Sequence, residues 1–379
     1  MFKTISRAPN DEFTFSIFSE LLLGLTCDFE AYYIWSNPPE QLESFINDTK
    51  FTKPNVVIGI KDLLDLWQDY DFWQDSAQHG VQLLDRMANL NPDKNFVIFT
   101  SLENIDLELW TAVNLQFIPW GGDLVNQSTQ YQTIIPVFDK NFESPKTLIS
   151  LNRNRRAHRL ILLSYLFGKG YEEIGQLTYL GQQIDVQKFD NLLDCLSWQF
   201  DERHNQAREY MITGYSKFYN NTNLLVDDYV IYDQGENDNL SNFERRLRSK
   251  YQNSFVEIVT ESSFTAPSFM LTEKTLHSIY GCNLPIILSG VGAVAHLRDL
   301  GFDMFDDIID HSYDYIPNPF DRIIHAIDDN QRLLTDTDYA KQVWLDRQDR
   351  FKTNIDVAER IYQWYQARTQ SRFNSIVWS

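Results

Sequence analysis

The chain of 379 residues is 43% hydrophobic, which is enough for two domains of ordinary size, each with its own core. Its aromatic content of 14% is too high for an intrinsically disordered chain. The formal net charge of −20 disfavours bulk binding to nucleic acid or to anionic membranes, because such a chain repels polyanions over most of its surface.

Membrane insertion and secretion find no support in the sequence. No apolar run reaches the ~20 residues that a membrane-spanning helix needs, and the first residues, MFKTISRAPNDEF, lack the apolar centre of a signal peptide. The three cysteines, Cys27, Cys195 and Cys282, are widely spaced and form no CxxC pair. This spacing predicts a reducing compartment with neither structural disulfides nor a zinc site. We therefore expect a cytoplasmic protein with no membrane partner.

Short apolar runs alternate with helical patterns in the first half of the chain. Runs rich in β-branched and aromatic residues predict buried strands, and apolar residues three positions apart predict a helix. The predicted strands are 55–60, 95–100, 115–119 and 132–137, and the predicted helix is 78–88. This alternation is typical of a parallel sheet covered by helices, so we expect an N-terminal Rossmann-like domain over residues 1–140.

The second half repeats the alternation. The predicted strands are 146–151, 255–260 and 284–289, and the predicted helices are 155–167, 272–280, 293–300, 319–334 and 339–368. We expect a second Rossmann-like domain over 141–340, joined to the first by a polar hinge, and a helix over 341–379 that packs back on the first domain. The predicted fold class is α/β, with two Rossmann-like domains facing a central cleft, where folds of this kind bind ligands.

An arginine-rich segment, SLNRNRRAHR at 150–159, ends a predicted strand and begins a predicted helix. The start of a helix carries about half a positive charge, so arginines there are unfavourable unless an anion compensates them. Helix starts after strands are common phosphate sites, and guanidinium groups add bidentate hydrogen bonds. Asn152, Arg153, Arg156 and Arg159 are the candidate ligands. The alternative is a set of salt bridges, or a solvated face, in this acidic chain.

Two further segments carry polar side chains next to predicted strands and helices. Glu261 follows the strand at 255–260, where a carboxylate can accept hydrogen bonds from a sugar or ribose hydroxyl, or simply cap a loop. Thr272 can cap the next helix, and Glu273 favours its first turn. Lys274 is a cation at the positive end of that helix, which indicates a nearby phosphate.

A small-residue turn, SGVGA at 289–293, joins a buried strand to a helix. Glycine here, with Gly290 as the candidate, lets the main chain approach a ligand closely, although a tight turn has the same pattern. The turn is not a GxGxxG motif, and no Walker motif occurs. No HExxH pattern occurs either. The acidic run FDMFDDIID fits a solvated face better than a cation site, so no metal is predicted.

In order and spacing, these segments resemble the C-terminal donor-binding domain of α1,3/1,4-type fucosyltransferases and of related two-domain (GT-B) glycosyltransferases. That family has a strand, a Glu with small polar neighbours, a TEK-type helix start, a Pro-Ile strand and a small-residue turn. The matching residues are Glu261-Ser262, Thr272-Glu273-Lys274, Pro285-Ile286-Ile287 and Ser289-Gly290. The sequence departs from the family at Ser262, where an Asn is usual.

The resemblance implies a role for each matched residue. Glu273 would bind the ribose, and Lys274 would neutralise the diphosphate together with Arg153 or Arg156. Glu261 would hold the donor sugar. In such enzymes, cationic side chains stabilise the charge that develops on the leaving nucleoside diphosphate. The resemblance therefore implies no metal and no cofactor, with a nucleotide-diphosphate sugar as the donor substrate.

An inverting transfer also needs a general base, a carboxylate within reach of the acceptor hydroxyl. We expect this base in the N-terminal domain. Asp123, after Trp120-Gly121-Gly122 at the end of a predicted strand, is the candidate, and Glu30, Asp62 and Glu103 are the alternatives.

The sequence thus predicts a metal-independent glycosyltransferase that moves a sugar from a nucleotide-diphosphate sugar to a hydroxyl acceptor. A glycan, a protein or a modified DNA base could be the acceptor, although the net charge disfavours DNA. One alternative is a non-catalytic structural or binding protein with a degenerate transferase fold. Another is a sugar-phosphate enzyme such as an epimerase, which would turn over nucleotide sugar without an acceptor.

Overall fold

The computed structural model describes residues 2–6, 22, 28–34, 39–60, 76–100, 103, 111–121, 134–143, 145–152, 156–179, 189, 193, 202–220, 243–262, 264 and 269–376. The chain divides into two compact units. The first consists of Met1–Thr129, Thr265–Thr272 and Arg360–Ser379, and the second of Gln130–Phe264 and Glu273–Glu359. The chain therefore enters the second unit at Gln130, and its last helix belongs partly to each unit.

The first unit contains a five-stranded parallel sheet in the order β1-β2-β3-β4-β5. Its elements are β1 (Phe2–Ser6), β2 (Phe29–Ile34), α1 (Pro39–Asp48), β3 (Asn55–Ile60), α2 (Ser76–Leu90), β4 (Asn95–Thr100) and β5 (Leu115–Pro119). Every described strand lies beside its neighbour in sequence, as expected when each connection crosses back to start a parallel strand.

Both faces of this sheet are buried, which explains why its strands are continuous apolar runs. In β3, Val56 and Ile58 belong to one apolar cluster, whereas Val57 belongs to another. Phe373, from the end of the chain, packs in the second cluster with its ring centroid 5.4 Å from that of Phe99. The C-terminal residues therefore cover one face of the first sheet.

The second unit contains a four-stranded parallel sheet in the order β7-β6-β8-β9. Its strands are β6 (Lys146–Asn152), β7 (Gly175–Tyr179), β8 (Ser254–Thr260) and β9 (Leu284–Leu288). Its helices begin with α3 (Ala157–Gly168), α4 (Glu202–Asn220), a π-helical turn (Phe243–Leu247), α5 (Arg248–Gln252), α6 (Glu273–Tyr280) and α7 (Ala293–Asp299). They continue with a 3-10 turn (Ser312–Tyr315), α8 (Pro319–Asp328), α9 (Gln331–Thr335), α10 (Thr337–Asp346) and α11 (Gln348–Asn374). Two α/β units, each built on a parallel sheet, confirm the predicted α/β class and the presence of two such units.

Three predicted elements differ from the structure. Residues 134–137 form no strand in the described part of the predicted run at 132–137; Pro136 has no N–H for a strand ladder, and the Val137 N–H donates to Tyr280 O at 2.8 Å. The predicted helix at 319–334 is two helices, because the Asn330 side chain between them bonds the main chain of Asp310 at 2.8 and 2.9 Å. The predicted helix at 339–368 is likewise two helices.

None of the described helices has the length and apolarity that crossing a bilayer requires.

Candidate functional site

The second sheet changes direction between β6 and β8. From β6 the chain goes outward to β7 on one side, and it then returns to β8 and β9 on the other side. Parallel sheets leave a crevice at the carboxyl ends of two strands whose connections diverge in this way, and ligands of open α/β folds bind there. The predicted site residues around Asn152 and Glu261 lie at these two strand ends. We call Arg156, Arg159, Glu261, Glu273 and Lys274 the strand-end site.

Helix α3 begins at Ala157, directly after this edge of the sheet. Arg156 is its N-cap residue, with φ −143° and ψ 145°, so the Arg156 side chain leaves from the extended residue before the helix and is partly exposed. The first N–H groups of a helix have no partner within it, and they attract anions. Arg153 lies outside the described residues. Arg156 is therefore the described arginine best placed to reach a ligand at the helix start.

Arg159 lies in the first turn of α3, and it is only 1% exposed. Its Nη2 donates to Thr260 O, the last carbonyl of β8, at 3.1 Å. Burial, reinforced by Arg156, lowers the pKa of Arg159 to about 10, so the guanidinium stays charged at pH 7. It contributes positive charge from within the sheet edge, and its direct contact with a nucleotide sugar stays a prediction.

Asn152, the last residue of β6, is also buried. Its Oδ1 accepts from Thr260 Oγ1 at 2.7 Å, and its Nδ2 donates to Ser150 Oγ at 3.1 Å. Its main-chain N–H donates to Thr178 Oγ1 at 3.1 Å. Asn152 thus ties β6 to both neighbouring strands. Its predicted role in ligand binding is not tested, but this geometry assigns it the task of holding the strand ends in register.

Glu261 follows β8, and its side chain is fully buried. Its Oε1 accepts from Thr275 Oγ1 at 2.7 Å, and its Oε2 lies 3.8 Å from Lys274 Nζ. Its main-chain N–H donates to Leu288 O at 2.9 Å. A buried carboxylate requires compensation of this kind. Glu261 therefore holds the first turn of α6 against the end of β8, and with it the position of Lys274.

Lys274 lies at the start of α6 between two carboxylates. Its Nζ is 3.8 Å from Glu261 Oε2 and 3.4 Å from Glu273 Oε1, and it is 3.5 Å from Ser262 Oγ. Its side chain is 21% exposed, and that of Glu273 is 29% exposed. Burial opposes ionisation of Glu273, but Lys274, His277 and the N–H of Glu273 itself together outweigh burial and lower the pKa of that carboxyl to about 2. Glu273 is therefore charged at pH 7, and both side chains reach solvent.

Charges of the strand-end site act on one another across the two strand ends. Arg156, Glu261 and Glu273 all influence the pKa of Arg159. Three cations of the site face two carboxylates, so positive charge is in excess in a chain with a formal charge of −20. Since fields focus where low-dielectric walls surround charge, this edge is suited to an anion.

Sequence reasoning missed His158, which lies in the first turn of α3 between Arg156 and Arg159. Its Nε2 lies 3.1 Å from Glu261 O, and its ring stacks on Phe264 with centroids 4.8 Å apart. Burial, reinforced by Arg159 and Arg156, holds the pKa of His158 well below its ordinary value. The neutral ring donates from Nε2, because a carbonyl oxygen only accepts. His158 was visible within the arginine-rich segment, but nothing local indicated its partner in a segment more than a hundred residues away.

The predicted glycine turn follows β9. Gly290 is buried, and Gly292 has φ +82°, a conformation that favours glycine. The start of α7 is already occupied by Asp314, whose Oδ1 and Oδ2 accept from the N–H groups of Val294 and Ala295 at 3.0 Å each. The turn therefore offers no helix start to a phosphate. Ligand contact at Gly290 itself stays a prediction.

The remaining candidates are Thr272 and the carboxylates considered as a general base. Thr272 is buried directly before α6, and its role stays a prediction. Asp123 and Asp62 lie outside the described residues. Glu30 is the second residue of β2, near the amino end of the strand, and accepts from the N–H groups of Thr52 and Lys53 at 2.7 and 3.2 Å. Glu30 therefore lies away from the carboxyl end of its strand, and its role as a base stays a prediction.

Glu103, the third alternative base, is 3% exposed and lies just beyond the end of β4. Its carboxylate is 3.1 Å from Arg368 Nη1. Burial raises the pKa of Glu103, although Arg368 opposes this. Glu103 is thus held by an ion pair with Arg368, and its role as the base stays a prediction.

The acidic run at 302–310 is not simply solvated. Arg350 donates to Asp303 at 2.5 and 2.6 Å and to Asp307 at 2.5 Å, and Arg298 donates to Asp306 at 2.5 Å. Within the described part of the chain, no three His, Cys, Asp or Glu side chains are grouped as metal ligands.

No protein-family model matches the sequence, and a comparison with curated proteins gives no match. Among solved structures, the chain is similar to an alpha,alpha-trehalose-phosphate synthase (UDP-forming) from Burkholderia xenovorans in complex with glucose-6-phosphate. The identity is 9%, the TM-score is 0.41, and the likeness covers 89% of this chain and 76% of the other. A likeness of this extent carries no argument about activity.

Proposed function

We propose that the protein is a glycosyltransferase that takes its sugar from a nucleotide-diphosphate sugar, with the diphosphate held at the strand-end site. One observation carries the proposal: Lys274, Glu273 and Arg156 reach solvent together at the diverging ends of β6 and β8. Their cations suit a diphosphate, and the Glu273 carboxylate suits the paired hydroxyls of a ribose.

The chemistry asked of these side chains is electrostatic. When the bond between sugar and diphosphate breaks, negative charge develops on the leaving phosphate oxygen, and fixed cations stabilise it. Lys274 is held in place by two carboxylates, the buried one of Glu261 and the partly exposed one of Glu273. Arg159 adds charge from inside the sheet edge, where its hydrogen bond to Thr260 O holds it in place. In this proposal the cationic side chains do the work that a divalent metal does in other transferases.

A second candidate is a binding protein without transfer activity. It is favoured by the two carboxylates beside Lys274, which already compensate its charge within the chain. Such a site could hold a nucleotide without promoting its cleavage. The two candidates agree on binding and differ only on turnover.

Calorimetric titration with UDP, GDP, CDP and ADP, in the presence of EDTA and then of Mg²⁺, tests the proposal. We expect one of them to bind without added metal. Lys274→Met should weaken this binding by about 100-fold, because a hydrogen bond to a charged group contributes about 1.5–3 kcal/mol. The matched control is Lys352→Met, since Lys352 is 61% exposed and pairs with Asp349 within a helix at 2.9 Å; it should leave the affinity unchanged.

If none of the four nucleotides binds the wild-type protein, the proposed function is wrong. If one binds and Lys274→Met matches the wild type, the diphosphate lies elsewhere. Incubation of the matching nucleotide sugars with glycan, peptide and DNA acceptors then separates the two candidates. Release of nucleoside diphosphate that depends on an acceptor supports the transferase, and binding without release supports the binding protein.

A further inference from the structure

Arg322, in α8, is a buried arginine whose side chain donates hydrogen bonds to main-chain carbonyl groups. It is 1% exposed. Its Nε donates to Ile316 O at 2.9 Å, its Nη2 donates to Pro317 O at 3.1 Å, and its Nη1 donates to both Phe264 O, at 2.8 Å, and Ser289 O. One side chain therefore joins three separate segments.

Two of these segments follow strands at the carboxyl edge of the second sheet. Phe264 belongs to the segment that follows β8, and Ser289 directly follows β9 and precedes Gly290. β8 and β9 are neighbours in the sheet. The guanidinium group presents its N–H groups in a rigid planar fork, so the two carbonyl groups that share Nη1 are held at a defined separation.

Holding a charge at this position is costly. Burial lowers the pKa of Arg322 to about 10, and the group remains charged at pH 7. Four carbonyl acceptors compensate the lost hydration without an ion pair among those bonds. A lysine or a neutral side chain could fill the space, but neither could bond three segments in one plane.

From Arg322 a short series of contacts leads to the strand-end site. The Arg322 guanidinium lies 5.0 Å from the centroid of the Phe264 ring, and the His158 ring stacks on the same ring. His158 donates to Glu261 O at 3.1 Å, and Glu261 holds Lys274. The position of Phe264 thus affects both the His158 ring and the main chain of Glu261.

We propose that Arg322 is a positioning residue for the strand-end site: by joining Phe264 to Ser289, it fixes the segments after β8 and β9 and so orients Glu261 and Lys274 for an anionic ligand. That the ligand is a nucleoside diphosphate rests on the proposed function. The positioning role itself rests on the hydrogen bonds and ring contacts of Arg322.

The test compares Arg322→Lys and Arg322→Met with Arg350→Lys. Arg350 is a matched control in the same unit, because it also makes several hydrogen bonds, to Asp303 and Asp307, and lies 4.7 Å from the Phe305 ring centroid. Each folded variant is assayed for its Kd towards the nucleoside diphosphate that the wild type binds. Hydrogen exchange is followed in peptides that contain Glu261 and Gly292.

We expect Arg322→Met to raise the Kd by roughly 100-fold and Arg322→Lys by roughly tenfold, since misplacement of binding groups by about 1 Å has effects of this order. Exchange of the Glu261 N–H should accelerate in both variants. Arg350→Lys should lower the melting temperature and leave both the Kd and the Glu261 exchange unchanged.

An unchanged Kd in Arg322→Lys and Arg322→Met overturns the inference while leaving the proposed function intact, even if both variants are less stable. If the wild type binds no nucleoside diphosphate, the proposed function is wrong and exchange decides the positioning role alone. Exchange at Glu261 that matches the wild type would then overturn it.

Discussion

Two lysines lie at opposite ends of the second sheet, and their surroundings differ in kind. Lys274, at the carboxyl edge, is partly exposed beside the carboxylates of Glu261 and Glu273. Lys140, before β6 at the amino edge, is 7% exposed. Its Nζ donates to three neutral oxygens, which are Tyr251 O and Gly281 O at 2.7 Å and Asn283 Oδ1 at 2.5 Å.

The comparison separates a partly exposed cation with charged neighbours from a buried cation whose hydrogen bonds go to neutral oxygens. The acceptors of Lys140 precede β8 and β9, so this lysine joins the segments that lead into three strands. Neutral acceptors compensate hydrogen bonding but not charge, and burial lowers the pKa of Lys140 to about 7. Lys274 instead lies beside two opposite charges, and its side chain is 21% exposed. Neighbours, rather than residue type, decide which lysine can serve a site.

The largest effect on stability is expected at the amino edge. Lys140→Met should lower the free energy of unfolding by about 3 kcal/mol, because it leaves three buried acceptors without a donor, and each such loss costs about 1–3 kcal/mol, partly offset by removal of a buried charge. Urea unfolding at pH 7 measures this. Nucleotide affinity of the folded variant should not change.

Lys352→Met is the control for the loss of a lysine in general, and it should cost less than about 0.5 kcal/mol. If Lys140→Met also lowers the free energy of unfolding by less than about 0.5 kcal/mol, the segments that precede β6, β8 and β9 do not depend on Lys140. The proposed difference between Lys140 and Lys274 would then be contradicted.

Glu257, in the middle of β8, extends the comparison to pH. It is 3% exposed, and its Oε1 accepts from Tyr251 OH at 2.9 Å. Burial, opposed by the Tyr251 hydrogen bond, raises the pKa of Glu257 from 4.5 to about 8. Between these values the folded state keeps a proton that the unfolded state has lost. Stability from this group is therefore greatest below pH 4.5 and falls as pH rises to 8.

Glu257→Gln removes this loss, so the variant should gain about 1–2 kcal/mol relative to the wild type between pH 5 and pH 7. Urea unfolding at pH 5, 6 and 7 follows the difference. Lys140 makes the free energy of unfolding rise with pH, but only above its pKa of about 7. The measurements therefore end at pH 7, where Lys140 does not yet mask the effect of Glu257. Glu43→Gln, at an exposed position, should run parallel to the wild type, and a parallel course for Glu257→Gln would contradict the expectation.

The sequence predicted six of the nine described strands, including the edge strands β5 and β9, and missed β1, β2 and β7. The runs at 55–60 and 95–100 are strands over the predicted residues, because strands buried on both faces are continuous apolar runs. β1 and β7 lie at the edges of their sheets. Their sequences, FKTIS and GQLTY, mix polar and apolar residues, and such short patterns do not distinguish a strand from a loop.

For the site, the sequence predicted which segments meet but not how they are held. Glu261 and Lys274 come together because a strand end and the next helix start must lie at the same edge of a parallel sheet. Arg322 and Asp314 left no local pattern, since their partners are mostly main-chain groups of distant segments. A main-chain carbonyl group is present at every residue, so no residue type marks it as an acceptor.

Of the two lysines at the ends of the second sheet, Lys274 is expected to contribute less to the free energy of unfolding. Its ion pairs are 3.8 and 3.4 Å long and partly exposed, and pairs of this kind contribute about 1 kcal/mol or less. Glu261 also retains Thr275 Oγ1 at 2.7 Å. Urea unfolding of Lys274→Met beside Lys140→Met, the same substitution at the two ends of one sheet, should therefore give losses that differ about threefold. Equal losses of unfolding free energy would mean that Lys274, like Lys140, serves mainly to stabilise the fold. The strand-end site would then lack the cation on which its proposed function depends.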